Sequence, residues 1–189
     1  MNSLLVSTGL VAVAEIGDKT QLLALLLACR YRRPVPIIAG ILLATVANHA
    51  LAGIAGAWAG SLLEGPWLRW AVGLSFLAVA GWALVPDRLE EDDAPGRLMG
   101  AGAFLATLVC FFLAEMGDKT QVATVLLAAR LDDLLAVVIG TTLGMMLANV
   151  PIVFCGHALA SRVPAKAMRM AAAVLFAGLG AAVLAGWIG

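Results

Sequence analysis

Ala14-Glu15-Ile16-Gly17-Asp18-Lys19-Thr20-Gln21 returns, with one change, as Ala114-Glu115-Met116-Gly117-Asp118-Lys119-Thr120-Gln121, an offset of 100 residues. Each copy lies inside a long apolar run, about Leu4–Ala28 for the first and Leu98–Ala129 for the second. An acid or base at the centre of a membrane helix costs roughly 2.5–3.5 kcal/mol even on a lenient insertion scale. Charged residues kept at two matched places therefore serve a function or pair with one another. The correspondence extends outward from the motif: Gly40 returns as Gly140, Ala47-Asn48 as Ala148-Asn149, Gly56 as Gly156 and Ala80-Gly81-Trp82 as Ala185-Gly186-Trp187. The chain is an internal repeat.

Composition sets the solvent. Of 189 residues, 62% are hydrophobic and 13% charged, with 12 Lys+Arg against 12 Asp+Glu. Mean hydropathy is +1.00. Soluble domains carry about 25% charged residues, so a soluble enzyme is excluded. The balanced charge also excludes a nucleic-acid binder. Six apolar segments follow, about Leu4–Ala28, Val35–Leu62, Trp67–Val85, Leu98–Ala129, Leu134–Leu159 and Lys166–Ile188. Each approaches or exceeds the roughly 20 residues that a bilayer demands. The runs are continuous, not alternating with period two, so helices are expected over a barrel.

The expected fold is therefore an all-α integral membrane protein of six transmembrane helices. Two halves of three helices insert with opposite orientation, because three is odd. Residues 1–85 form the first repeat, 86–97 an acidic linker and 98–189 the second repeat. Inverted-topology repeats are a transporter architecture, with the site at their interface near the midplane. Arg30, Arg32, Arg33, Arg88, Arg97, Arg162, Lys166 and Arg169 lie on one side of the membrane, against only Arg69 and Arg130 on the other. That bias puts the linker in the cytoplasm and both termini outside. A cleavable signal is not expected, since the first basic residue is Lys19 and the segment is copied in mid-chain. Cys29, Cys110 and Cys155 show no metal-binding spacing and read as small hydrophobes of the bundle.

On a continuous helix Glu15, Asp18 and Lys19 share one face at i, i+3 and i+4, as do Glu115, Asp118 and Lys119. Gln21 lies on that flank and Thr20 points elsewhere, bonding back to a carbonyl. Gly17 and Gly117 permit close backbone approach or a local break. Two self-contained Glu–Lys pairs are the structural alternative. Against it, the six charges sum to −2, and the repeat brings both clusters together. Four carboxylates with amides and hydroxyls nearby suit a hard divalent cation, Ca²⁺, Mn²⁺ or Mg²⁺. One such cation, or two protons, cancels the charge. Asn48 and Asn149 supply a ligand oxygen or an interhelical hydrogen bond. His49, whose counterpart is Val150, reads as an ordinary polar contact before a proton relay, and His157 carries less. Pro151 is expected to kink the fifth segment.

The paired motifs, Glu15–Thr20 and Glu115–Thr120, resemble those of the Golgi calcium/manganese transporter family, in its bacterial manganese-exporter branch within the lysine-exporter superfamily. The resemblance covers essentially the whole chain. It implies cation/proton antiport, with Glu15, Asp18, Glu115 and Asp118 as the metal- and proton-binding groups. Lys19, Thr20, Gln21 and Asn48 support them, as do Lys119, Thr120, Gln121 and Asn149. It further implies export of Mn²⁺, with Ca²⁺ as a second substrate and H⁺ as counter-ion, across a bacterial inner membrane. No prosthetic group and no enzymatic activity are expected. The expected partners are the lipid bilayer and the metal substrate, with no nucleic acid, and homo-oligomer formation is left open. An amino-acid or organic-cation exporter, a channel, and a non-transporting membrane assembly or sensor protein are the rival classes.

Overall fold

The computed structural model describes residues 2–63, 66–86, 102–131, 133–155 and 165–188. Regular structure among them is helical: α1 Ser3–Glu15, α2 Lys19–Tyr31, α3 Pro34–Leu62, α4 Pro66–Ala83, α5 Ala103–Glu115, α6 Lys119–Arg130, α7 Leu134–Cys155 and α8 Ala165–Leu184. Three stretches are each long and apolar enough to cross a membrane, Pro34–Leu62, Leu134–Cys155 and Lys166–Leu184. The acidic linker beyond Pro86, together with Arg88, Arg97, Gly156, His157 and Arg162, lies outside the described residues.

Two of the apolar runs are not single helices. The first is divided into α1 and α2, the fourth into α5 and α6. At 1.5 Å per residue, a 13-residue helix such as α1 or α5 reaches about 20 Å, short of the roughly 30 Å hydrocarbon core. The cause of each break is local. Ile16 leaves the helix in extended conformation, and Gly17 takes φ +84°, with Gly117 at +77°. In that left-handed region an L side chain costs about 1–2 kcal/mol. Asp18 and Asp118, again extended, then cap α2 and α6. The expectation that Glu15, Asp18 and Lys19 share one helical face is thereby corrected: Glu15 ends one helix and Lys19 begins the next. The same holds for Glu115 and Lys119.

The two long central helices each embrace the broken run of the other half. α3 packs along α5 and α6, and α7 packs along α1 and α2, while α3 and α7 also touch each other. Glycines set these approaches. A Cβ on Gly40 would lie 2.8 Å from the Thr107 Cβ and 2.9 Å from the Phe104 carbonyl. A Cβ on Gly140 would lie 2.9 Å from the Ser7 Cβ and 2.7 Å from the Leu4 carbonyl. The partners in these two contacts are themselves 100 residues apart. α4 and α8 pair with each other on the flank, with Phe76 and Phe176 stacked at 6.4 Å between ring centres.

Burial runs opposite to the habit of a soluble protein. Leu51, Ile54, Leu147 and Val174 are 59–70% exposed, whereas Glu15, Asn48, His49, Glu115 and Asn149 are at most 1% exposed. The interior also holds two apolar clusters, so apolar side chains lie on both sides of the bundle wall and the polar groups are withdrawn inside, as lipid requires. Trp58, Trp67 and Trp187 are also exposed, in keeping with interfacial anchors. Cys29 and Cys155 are exposed and Cys110 is buried, and none of the three is in a disulfide.

Two alanine substitutions separate the two glycine roles. In Gly56→Ala the new Cβ would meet the Val125 carbonyl oxygen at 2.2 Å, and overpacking of that kind costs about 1–3 kcal/mol. Gly117 has open space around it, so Gly117→Ala is expected to cost only the left-handed backbone, about 1–2 kcal/mol. Thermal unfolding in detergent should show both destabilised, with Gly56→Ala the more so. Unchanged unfolding of Gly117→Ala would contradict the described break.

Candidate cation site at two broken helices

Each break frees backbone groups from the helical ladder, and a glutamine meets them. The Gln21 Oε1 accepts from the Gly17 N–H at 2.9 Å, and the Gln121 Oε1 from the Gly117 N–H at 2.7 Å. Asp18 accepts from the Lys19 N–H at 2.7 Å. Gly-Asp-x-x-Gln is thus a helix stop followed by a variant of the capping box, in which an N-cap acid and a glutamine three residues on close a helix start. Of the two roles the sequence allows Gly17 and Gly117, close approach or a local break, the structure takes the break.

The same glutamines tie each break to the other half of the chain. The Gln21 Nε2 donates to the Ala148 carbonyl of α7 at 2.9 Å. Pro151 in the same helix leaves the Leu147 carbonyl without its helical donor, so the ladder is already open beside Ala148. The Gln121 Nε2 donates to the Asn48 Oδ1 of α3 at 3.3 Å, and the Asn48 Nδ2 donates to the Phe112 carbonyl at 3.0 Å. Asn48 is therefore an interhelical link. Asn149 instead donates within its own helix, to the Met145 carbonyl at 3.1 Å, and its buried Oδ1 has no hydrogen-bond partner.

Three of the four expected acids converge. Glu15, Glu115 and Asp118, all buried, each offer a carboxylate oxygen, and these oxygens lie within 4.8 Å of one another. Asp18, at 4% exposure, stands outside that cluster, its carboxylate engaged in capping α2. Thr20 does not bond back to a carbonyl, as expected from a continuous helix. Its Oγ1 donates to the Glu15 Oε2 at 2.6 Å, while the Thr120 Oγ1 from the other half donates to the Glu15 Oε1 at 2.5 Å. One carboxylate thus receives a hydroxyl from each repeat. Both oxygens of Glu115 are buried without a hydrogen bond. Lys119 is buried and Lys19 half-buried beside these groups. His49, expected to make an ordinary polar contact, is 1% exposed with neither ring nitrogen hydrogen-bonded.

The donor set is all oxygen, which selects hard cations over soft ones. Its size is informative too. Oxygens on opposite sides of a divalent ion, at metal–oxygen distances of 2.1–2.6 Å, stand about 4–5 Å apart. Carboxylate oxygens within 4.8 Å of one another are close enough to share one divalent ion.

A helical protein with apolar surfaces and a buried carboxylate cluster where two broken helices meet has the build of a membrane carrier for small cations. The sequence pattern described as "Divalent cation/proton antiporter GDT1" matches residues 3–91 and 103–188. The chain belongs to this family of divalent cation/proton antiporters, which are transporters and not enzymes. It is 50% identical over 177 residues to a protein of Vibrio cholerae named "Putative manganese exporter", covering 93% of this chain and 87% of that one. A GDT1-like protein of Synechocystis is 29% identical over 190 residues, 88% of this chain and 89% of its own. A GDT1-like protein of Oryza sativa is 28% identical over 202 residues, 94% of this chain and 71% of its own. No solved structure matches.

The threonine contacts are testable by stability alone. Thr120→Val strips a donor from a buried carboxylate, and unmet buried polar groups cost about 1–3 kcal/mol. Thr124 donates only to the Thr120 carbonyl of its own helix, so Thr124→Val is expected to cost less. Thermal unfolding in detergent, without metal, should rank the two in that order.

Proposed function

We propose that this protein exports Mn²⁺ from the cytoplasm in exchange for protons, with Ca²⁺ as a second substrate. The observation that carries the reading is the convergence of Glu15, Glu115 and Asp118 within 4.8 Å in a buried site. Holding ionised carboxylates out of water costs several kcal/mol each unless opposite charge faces them. A divalent cation supplies that charge, and so do protons. A site that accepts either occupant but resists standing empty favours exchange over leak.

In the proposed cycle the cytoplasm-facing carboxylates, deprotonated, take up the cation. The two halves rock, protons from outside displace the metal, and the protonated site returns. Proton-motive force drives export. Glu15, Asp18, Glu115 and Asp118 are the ligand and proton groups. Lys19, Thr20, Gln21, Asn48, Lys119, Thr120, Gln121 and Asn149 hold or balance them. Asp18 enters the cluster at another stage than the one described here.

Residues 1–85 and 98–189 act as inverted three-helix repeats, with 86–97 as a cytoplasmic linker and both termini outside, in a bacterial inner membrane. Support comes from the paired contacts of Gly40 with Thr107 and of Gly140 with Ser7, and from the glutamines that cross between halves. The name of the Vibrio cholerae relative supports manganese and export.

Proteoliposomes holding the purified protein and a pH-sensitive dye test the reading. Mn²⁺ added against an imposed ΔpH is expected to move protons, Ca²⁺ to do so as a second substrate, and lysine not to. Glu15→Gln and Glu115→Gln are each expected to lower exchange at least about 100-fold, since a ligand is lost from the step that defines transport, with membrane insertion intact. Wild-type exchange in both variants would contradict the assignment.

A further inference from the structure

At the junction of α2 and α3 a cavity of about 330 Å³ opens against the C-terminal turn of α7, lined in part by Cys29, Arg32, Arg33, Ile37, Val153 and Phe154. Its charged side is built by a rigid corner. Arg32 ends α2 in left-handed conformation at φ 53°, its N–H donating to the Ala28 carbonyl, and Arg33 is the N-cap of α3 with no side-chain cap bond. Pro34 follows at once. A non-glycine residue held at positive φ is uncommon, and here it sets two adjacent arginines on one short link between α2 and α3. Both arginines are exposed, and neither guanidinium group has a hydrogen bond or ion pair among the described residues. Arg30 adds a third positive charge in the last turn of α2, over the Tyr31 ring.

The other side of the cavity is apolar. Ile37 and Val153 form buried wall, and the lining Phe154 is 63% exposed on the outer surface of the bundle; Val35, next in the chain to the lining Pro34, is 73% exposed. A paired guanidinium mouth with an apolar exit toward lipid fits a molecule that is anionic at one end and hydrocarbon at the other. The opposite end of the bundle offers a comparison. There α6, α7 and α3 enclose a cavity of about 540 Å³ lined by Arg130, but the Arg130 Nε already donates to the Ile188 carbonyl at 2.9 Å. The chain itself answers that arginine. It leaves Arg32 and Arg33 to something else.

We propose that Arg32 and Arg33 form a headgroup site for an anionic phospholipid, whose phosphate takes the paired guanidinium donors and whose acyl chain lies along Phe154 and Val35. Guanidinium forks bind phosphate bidentately, and basic pockets between helices at the cytoplasmic face are suited to anionic headgroups. The site joins α2 and α3 to α7, so a bound lipid bridges the two halves of the chain. This assignment stands apart from the cation cluster and does not depend on antiport.

Lipid retention by the full-length protein tests it, read by native mass spectrometry after exchange into phosphatidylglycerol or phosphatidylcholine. The wild type is expected to retain phosphatidylglycerol about tenfold or more over phosphatidylcholine, as two basic contacts with the headgroup would give. Arg32→Gly with Arg33→Gln is expected to abolish the preference, and glycine suits the left-handed position, so folding is preserved. Arg130→Gln is expected to keep it. Equal retention of the two lipids by the wild type overturns the proposal without need of any variant, as does an unchanged preference in the double variant. Displacement of the lipid by millimolar inorganic phosphate would make the site one for free anions and overturn the lipid assignment.

Discussion

Breaking a helix inside a hydrocarbon layer frees backbone groups that have no water to turn to, and the rest of the site follows from satisfying them. Gly17 and Gly117 make the breaks. Gln21 and Gln121 reach back to cap them, and with their remaining amide groups fasten each break to the long helix of the other half. The carboxylates at the helix ends are brought together as a result, because each break is held by the half to which it does not belong. A continuous helix would have spread Glu15, Asp18 and Lys19 along one face. The interruption instead puts Glu15 at the end of α1 and Thr20 in the first turn of α2, near enough for the hydroxyl to reach the carboxylate.

The two copies of one motif are not in the same local state. Asp18 caps its own helix through its side chain, and Asp118 does not. Glu15 receives two threonine hydroxyls, and the Glu115 oxygens receive none. Asn48 links α3 to α5 and α6, whereas Asn149 turns inward to Met145 on its own helix. Near-identical sequence thus adopts two arrangements in one molecule, which the rocking of the proposed antiport would interchange.

The helical, membrane-embedded class was legible in the sequence because lipid imposes a simple pattern: long apolar runs, few charges and short connections. Long-range pairing was legible only as a repeat. That Gly40 meets Thr107 and Gly140 meets Ser7 depends on packing between segments far apart in the chain, which periodicity does not encode. The acids were found as a set, and three of the four converge. Helical periodicity puts them on one face and a local break at Gly17 does not; the glycine followed by an N-cap acid and a glutamine three residues on decides for the break. The roles of Thr20 and Thr120 as donors to Glu15 were hidden by the same periodicity. His49 shows the opposite limit: a buried imidazole with neither nitrogen hydrogen-bonded has no signature in one sequence.

Exchange of the proposed kind requires that cation and protons share the same buried carboxylates. Calorimetric titration of Mn²⁺ into the purified protein, repeated in buffers of different ionisation enthalpy, addresses it most directly by counting the protons released per metal bound. The expected result is one Mn²⁺ per chain with net proton release, and loss of both binding and release in Asp118→Asn. Tight Mn²⁺ binding with no proton released, or binding unchanged in that variant, would contradict the claim.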